Sequence, residues 1–348
     1  MTTSKIFIYA SIYLFFLLNS SLDLFAVDIR SLKDTNNLTS FDKIETLSFH
    51  NINLIHIEKL KGKKVKHLVF KQCFGNINDI LSVIDMSSLK GLSISESIVL
   101  DTLINLDGAS DIEIGISRNY GWFKFSNLNM CKGFSCEYNT MHLDINEFNP
   151  NIELLHLINI NPLFVKNISY LENFTKLESL WLDFGFPIEV DLNLENLTEL
   201  QSIYLDSFTS LPSSINTTSL ESILINKVYD LDTNYLNSII GNNMLLTELS
   251  IENCNLKSIP TNILKLESVS LLNLSENKLN SLEYDFSKLK SLQTLFLDNN
   301  YISEFNYNLF DLPEIIQVNL KFNNLNSKIS PPNDKRIIIN QEGNPFED

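Results

Sequence analysis

Cysteine is scarce in this sequence, with four in 348 residues, too few for a chain held together by a disulfide framework. Its stability has to come from packing. Basic residues are also in short supply, 26 lysines and arginines against 42 aspartates and glutamates, for a net charge of −16. Removing the first 26 residues leaves that balance unchanged, because the segment holds only Lys5 and Asp23 as charges. A phosphate backbone would be repelled over most of such a surface, so no nucleic-acid partner is expected. Histidine is limited to His50, His56, His67, His142 and His156, scattered singly, and no GxSxG, HExxH, P-loop or paired CxxC motif occurs. Neither an enzyme nor a metal or other cofactor is expected.

Long hydrophobic runs are missing as well. The longest, the thirteen residues from Ile6 to Leu18, falls short of the roughly 20 residues that cross a bilayer. It follows Lys5 and precedes the polar patch Asn19-Ser20-Ser21, which is the layout of a secretory signal. Residues 1–26 are therefore expected to be a signal peptide, cleaved after Ser21 or Ala26, with a retained anchor as the less favoured reading. The end, "INQEGNPFED", has no hydrophobic tail for a lipid anchor. The mature chain is expected to be secreted, without a transmembrane segment, or to be a detached ectodomain.

What the sequence does have is apolar material, 44% of its residues against 20% charged, enough for a sizeable core. It is distributed as a repeat. "LTELSIENCNLKSI", "VSLLNLSENKLNSL", "LQTLFLDNNYISEF" and "IIQVNLKFNNLNSK" stack at intervals of 23 residues, their second framework positions being Leu249, Leu272, Leu295 and Val318. The register walks back through Ile223, Ile203, Leu180, Leu155, Phe134, Ile114, Leu92, Leu68 and Leu47 at intervals of 20 to 26 residues. A last unit centres on Ile339, where Gln341 replaces an expected apolar residue, giving fourteen units over residues 44–346.

This pattern resembles the leucine-rich repeat family, LxxLxLxxNxL, most closely at the carboxyl end. The resemblance implies an α/β fold, a curved parallel-sheet solenoid with one short strand per repeat, over residues 44–348 with a short C-terminal cap, behind a capping segment at 27–43. Physics supports the same picture: alternate strand residues point to opposite faces, so the leucines of LxL enter the core while their neighbours face away. A single repeat cannot bury its apolar edge alone, but stacked repeats share one core.

The asparagine after LxLxx turns the chain out of the strand, and its amide serves backbone groups that would otherwise be buried unsatisfied. Asn119, Asn139, Asn277, Asn300, Asn323 and Asn344 hold this ladder position. Ile160, Gly185, Phe208 and Val228 hold it in the middle of the chain, which is expected to be the irregular part. Cys73 and Cys254 also hold it, where the family accepts cysteine for asparagine, and are read as buried thiols. Cys131 and Cys136 would be about 16 Å apart in an extended strand, beyond disulfide reach, so a bond between them requires a tight loop.

Sequons for glycosylation occur at Asn37, Asn167, Asn173, Asn196, Asn216 and Asn273. Only Asn273 lies within an expected strand. There it faces out of the sheet between two buried leucines, so a glycan on it would stand in the concave groove.

The concave face is where binding is expected. Its middle column runs His156, Trp181, Tyr204, Leu224, Ser250, Asn273, Phe296 and Asn319. The next column runs Ile158, Asp183, Asp206, Asn226, Glu252, Ser275, Asp298 and Lys321. With strands about 4.8 Å apart, Trp181 and Tyr204 lie side by side, as do Asp183 and Asp206. An exposed aromatic pair with a polar rim is a surface that binds a partner, here a protein first and a glycan-bearing ligand second. Candidate ligand-binding residues are His156, Ile158, Trp181, Asp183, Tyr204, Asp206, Phe296 and Asp298. The carboxylate pair matches no calcium loop. Function is accordingly read as recognition of another macromolecule in adhesion, signalling or inhibition of a secreted enzyme. The rival reading is a self-associating component of an extracellular coat or matrix.

Overall fold

A computed structural model describes residues 26–31, 38 and 43–346, apart from 56, 140, 217, 242, 244, 283, 306 and 333–335. The first 25 residues of the expected signal segment, and Asn37, lie outside the described residues. A strand, Ala26–Ile29, runs from the last residue of the expected signal segment into the segment expected to be a cap. Cleavage after Ala26 would remove the first residue of that strand. The chain forms two compact units, Met1–Ile168 and Ser169–Asp348.

The first unit is a run of parallel strands, Ala26–Ile29, Lys43–His50, Lys64–Lys71, Gly91–Ser95, Ile112–Ser117, Cys131–Glu137 and Leu154–Ile158. Its pairing sets Val27 beside Leu47, Leu47 beside Leu68, and so on through Leu92, Ile114, Phe134 and Leu155. The second unit repeats the arrangement from Ser179–Ile188 to Ile338–Asn340. There Leu180, Ile203, Ile223, Leu249, Leu272, Leu295, Val318 and Ile339 stand in one row. Every framework residue named from the sequence thus pairs with its counterpart in the next strand of its unit. Val27 adds a strand that the repeat pattern did not reach.

Period-two alternation explains the row. The residues flanking each strand centre, such as Leu272 with Leu274 and Leu295 with Leu297, are fully buried, each leucine contributing about 1.5–3 kcal/mol by leaving water. Helices are few, and the outer segments that close the core are mostly single turns of 3-10 helix, as at Glu58–Leu60, Leu128–Met130 and Ile263–Lys265. The longest helix among the described residues, Thr233–Gly241, buries Leu236, Ile239 and Ile240. Asp232 caps it, accepting from the amides of Asn234 at 2.8 Å and Tyr235 at 3.1 Å.

Each regular strand ends in the same way. The residue before the ladder position turns left-handed, with φ between 49° and 57° at Gln72, Glu96, Arg118 and Tyr138 in the first unit and at Lys227, Asn253, Glu276, Asn299 and Phe322 in the second. A non-glycine residue pays roughly 1–2 kcal/mol for that conformation. Its amide is then aimed at the next repeat: Gln72 donates to the Ser95 carbonyl at 3.0 Å and Glu276 to that of Asp298 at 2.9 Å. The asparagine that follows closes the turn. Asn300 accepts from the Leu279 amide at 3.0 Å and donates to the carbonyls of Leu274 and Leu297 at 3.0 and 3.1 Å. Asn277 and Asn323 make equivalent sets, and Asn344 does so with Leu325, Leu320 and Gln341. In the first unit, Asn139 accepts from Asn119, Asn119 accepts from Ser97, and the Ser97 hydroxyl accepts from the Cys73 amide. Ser97 is a ladder member that the sequence pattern missed.

The two ladder cysteines take over the donor role of the asparagine amide. Cys73 Sγ lies 3.3 Å from the Phe49 carbonyl oxygen, and Cys254 Sγ lies 3.1 Å from that of Glu252. Cys131 and Cys136 both belong to the extended strand Cys131–Glu137, so the tight loop a disulfide needs is not there, and all four thiols are free and buried. Burial pushes the Cys254 thiol up to about 12 and raises those of Cys73, Cys131 and Cys136. At the carboxyl end, Gln341 forms a reciprocal pair with the backbone of Ile329, at 2.9 and 3.0 Å. Its amide imitates a strand partner, which explains a polar residue in an apolar slot.

Two outcomes follow from this packing. Asn300→Ala strands three buried backbone groups and should lower unfolding free energy by at least about 2 kcal/mol in a denaturant titration. An unchanged midpoint would remove the ladder role. A thiol-reactive chromophore should label none of the four cysteines rapidly in the folded protein and all four after denaturation, whereas fast labelling of any one would contradict its burial.

Candidate functional site

The sequence-named column residues lie on the sheet face turned away from the leucine core, hereafter the column face. In the second unit, Trp181 pairs with Tyr204 and Asp183 with Asp206. The two rings meet edge to face with centroids 6.2 Å apart, a favoured aromatic geometry. Exposure is where expectation fails. Trp181 is 8% exposed, Tyr204 2% and Asp206 0%, so the pair is not the open platform that the spacing suggested.

Tyr204 is held in by a set of bonds centred on Asp206, and Trp181 Nε1 donates to Ser202 Oγ at 3.3 Å; Asp206 is the hub. Its carboxylate accepts from Tyr204 Oη at 2.7 Å, Asn226 Nδ2 at 2.7 Å and Ser207 Oγ at 2.6 Å, with Lys227 Nζ 3.3 Å away. Four donors saturate the two oxygens. Burial, the largest single effect, disfavours the Lys227 ammonium, but the charge and hydrogen bond of Asp206 together with the Asp183 charge outweigh it and raise the lysine's pKa. Burial, with the charges of Asp206 and Asp183 beside it, raises that of the Tyr204 phenol. The phenol therefore stays protonated and donates to Asp206. Asp183 is buried too and accepts from the Gly185 amide at 2.7 Å. These groups hold one another and are spent on the fold.

Further along the same unit, Phe296 is buried and Asp298 half-buried. Asp298 accepts from Ser275 Oγ and from Asn319 Nδ2, both at 2.7 Å. In the first unit His156 and Ile158 are buried in the strand Leu154–Ile158. Burial holds the His156 pKa down to about 3, so its ring is neutral at physiological pH and a poor base. Among the described residues, no group of three or more His, Cys, Asp or Glu side chains is placed to hold a metal ion.

Of the four strands whose ladder position holds Ile160, Gly185, Phe208 or Val228, two run on to or past it, Ser179–Ile188 past Gly185 and Ser202–Phe208 to Phe208, whereas Leu154–Ile158 and Ser222–Asn226 stop before it. Phe208 fills its ladder position with a ring that meets Phe184 edge to face at 5.7 Å. Ile160 and Val228 fill theirs with buried aliphatic side chains.

The sequons divide by exposure. Asn167, Asn173 and Asn196 are exposed, and Asn216 is half-buried. Asn273 is 2% exposed, with its Nδ2 donating to Glu252 at 3.1 Å and its Oδ1 accepting from the Ser275 amide at 3.0 Å. The nitrogen that would carry a glycan is already bonded inside the sheet, so the expected groove glycan does not fit this conformation.

The two most exposed aromatic side chains among the described residues lie off the strands, and strand-based reading passed over them. Tyr120 and Trp122 are 71% and 64% exposed, on either side of Gly121. The available signal was that one of only two tryptophans in the chain falls outside the repeat framework, in "NYGWF".

Comparison with known proteins agrees with the architecture. Residues 245–302 match the leucine rich repeat family model. The fold resembles that of an internalin from Listeria monocytogenes, at 18% identity and TM-score 0.59 over 90% of this chain and 89% of the other. A leucine-rich-repeat protein of Leptospira interrogans matches at 15% identity and TM-score 0.53 over 92% and 95%. A chain of the Toll–Spatzle complex of Drosophila matches at 13% identity and TM-score 0.51, over 88% of this chain and 51% of that one. None of the curated proteins matches the sequence. The family match and these neighbours support a leucine-rich repeat protein, and the fold is a leucine-rich repeat solenoid. Such folds generally serve as binding scaffolds for other proteins. Among the described residues no helix is long and apolar enough to cross a membrane.

If the chain is expressed by a glycosylating host, mass spectrometry should find Asn273 unmodified. Sugar is expected first at the exposed sequons Asn167, Asn173 and Asn196. An occupied Asn273 would mean that its strand does not hold the bonds described.

Proposed function

We propose that the protein is a secreted recognition protein that binds another protein by shape and side-chain contacts, without bond-making chemistry. One observation carries the reading: in the first unit, three successive parallel strands are each followed by an exposed apolar side chain at the matching position of the segment that leaves the sheet. Phe74 pairs with Ile98 and Ile98 bridges to Tyr120, and these three are 46%, 45% and 71% exposed. Loops positioned by a rigid scaffold are where binding residues concentrate. Apolar side chains left in water at consecutive rungs cost stability and are retained where a partner covers them.

The column-face residues of the second unit have a structural part instead: Tyr204, Asp206, Asn226 and Lys227 tie neighbouring strands of that unit to one another. Adhesion, signalling and inhibition of a secreted enzyme all use a surface of exposed apolar side chains.

The test is capture on the immobilised chain from the fluid that bathes the producing cells, with light scattering of the purified chain alongside. Saturable retention of one protein by a monodisperse chain is expected. Concentration-dependent self-assembly without any retained protein would replace this reading with that of a coat component.

A further inference from the structure

The side chains around Tyr120 and Trp122 in the first unit are built to stay exposed. Gly121 between them has φ +133°, and a Cβ there would lie 2.4 Å from the Val99 carbonyl oxygen. Only glycine allows the backbone to approach that closely. The approach is fastened on both sides, the Tyr120 amide donating to Ser97 O at 2.9 Å and the Val99 amide to Tyr120 O at 2.9 Å. Trp122 is wedged from behind: its ring meets Phe164 edge to face at 5.6 Å and lies 5.7 Å from His142, which is itself 4.8 Å from Phe164. A tryptophan gripped by two rings and still 64% exposed is a preorganised contact, with little rotamer entropy left to lose on binding.

Beside Tyr120 stands a cation, Arg118. Arg118 lies 5.6 Å over the Tyr138 ring, and its guanidinium is 3.9 Å from Glu137, a long contact that leaves donors for another carboxylate. Arg118, Asn119, Tyr120 and Tyr138 line an open recess of about 350 Å³. The Asn119 amide is already used, accepting from Ser97 and donating to the Ile94 carbonyl. The strip continues from Tyr120 into aliphatic and aromatic carbon at Ile98 and Phe74, which a protein side-chain stripe would cover and the hydroxylated edge of a sugar would not.

We propose that Tyr120, Trp122 and Arg118, extended by Ile98 and Phe74, form a docking surface for a protein that presents an apolar stripe flanked by a carboxylate. Tryptophan, tyrosine and arginine are the residues that dominate binding energy at such surfaces. The inference rests on the recognition reading above and gives it a location.

The probe is a displayed random peptide library selected on the full chain, with Trp122→Ala, Tyr120→Ala and Arg118→Gln as comparison proteins, each first shown to melt as the parent does. Selected peptides should be apolar and carry Asp or Glu. Their affinity should fall at least about tenfold in Trp122→Ala and in Tyr120→Ala, the loss expected at a hot spot. It should fall less in Arg118→Gln, and raised salt should then cost the parent affinity but not that variant. Peptides that bind Trp122→Ala undiminished, or a selection that yields none, would overturn the proposal. So would an array of neutral oligosaccharides retained by the parent and lost by Trp122→Ala, because the site would then be one for sugars. A natural partner whose capture survives Trp122→Ala leaves the recognition reading standing and removes this surface. Failure to capture any partner counts against the recognition reading alone, since the peptide selection still reports on this site.

Discussion

The rest of the structure depends on how each strand is ended. A left-handed residue followed by an asparagine takes the chain out of the sheet, and the asparagine amide then supplies one acceptor and two donors to backbone groups of its own and the preceding repeat. Asn300 joins the Leu279 amide to the Leu274 and Leu297 carbonyls in this way. Without it those groups would be buried and unsatisfied, at about 1–3 kcal/mol each. The left-handed turn is unfavourable in isolation. It persists because the amide it exposes is taken up by the next strand, as Glu276 by Asp298. Each repeat is thereby stabilised by its successor, the nearest-neighbour logic of a solenoid.

The same constraint explains the stretch that breaks the pattern. Phe208 and Val228 cannot make amide bonds at the ladder position, and the chain around them is held by other means. The strands at Ser179 and Ser202 run on to or past their ladder positions, and the column face is cross-linked through Asp206, which gathers donors from its own strand, from the next strand and from the turn that ends that one. A buried carboxylate is stable only when its desolvation is offset by hydrogen bonds and an opposite charge. Here both are present. The irregular strands substitute a polar knot on one face of the sheet for the amide ladder along its edge.

The legibility of this chain in its sequence follows the same division. The rows from Leu47 to Leu155 and from Leu180 to Ile339 were readable because a period of two and a repeat near 23 residues fix which side chains share a face. Placing Trp181 beside Tyr204 was readable for the same reason. The burial of Tyr204 was not, because it depends on what Asp206, Asn226 and Lys227 do to one another across strands, and spacing carries no information about that. The left-handed positions were equally hidden, since Glu276, Lys227 and Phe322 have no compositional mark of that conformation. Gln341 looked like a flaw in the last repeat until its amide was seen paired with the Ile329 backbone.

Two aromatic pairs in this protein show why residue type alone does not locate a binding surface. Trp181 and Tyr204 occupy adjacent rungs of a sheet, where neighbours at about 4.8 Å crowd each ring and the phenol finds a carboxylate. Tyr120 and Trp122 stand on a loop, where a glycine draws the backbone against Val99 and leaves both rings outside. The first pair gives its contact energy to the fold, and little of it is left for a partner. The second is gripped only from behind, so most of its apolar area is still in water. At about 25 cal/mol per Å² of apolar area removed from water, that remaining surface is what a partner can use. In a repeat protein the available binding energy therefore lies where the repeat's own bonds are already satisfied and side chains are left over, which directs attention from the strands to the loops they hold.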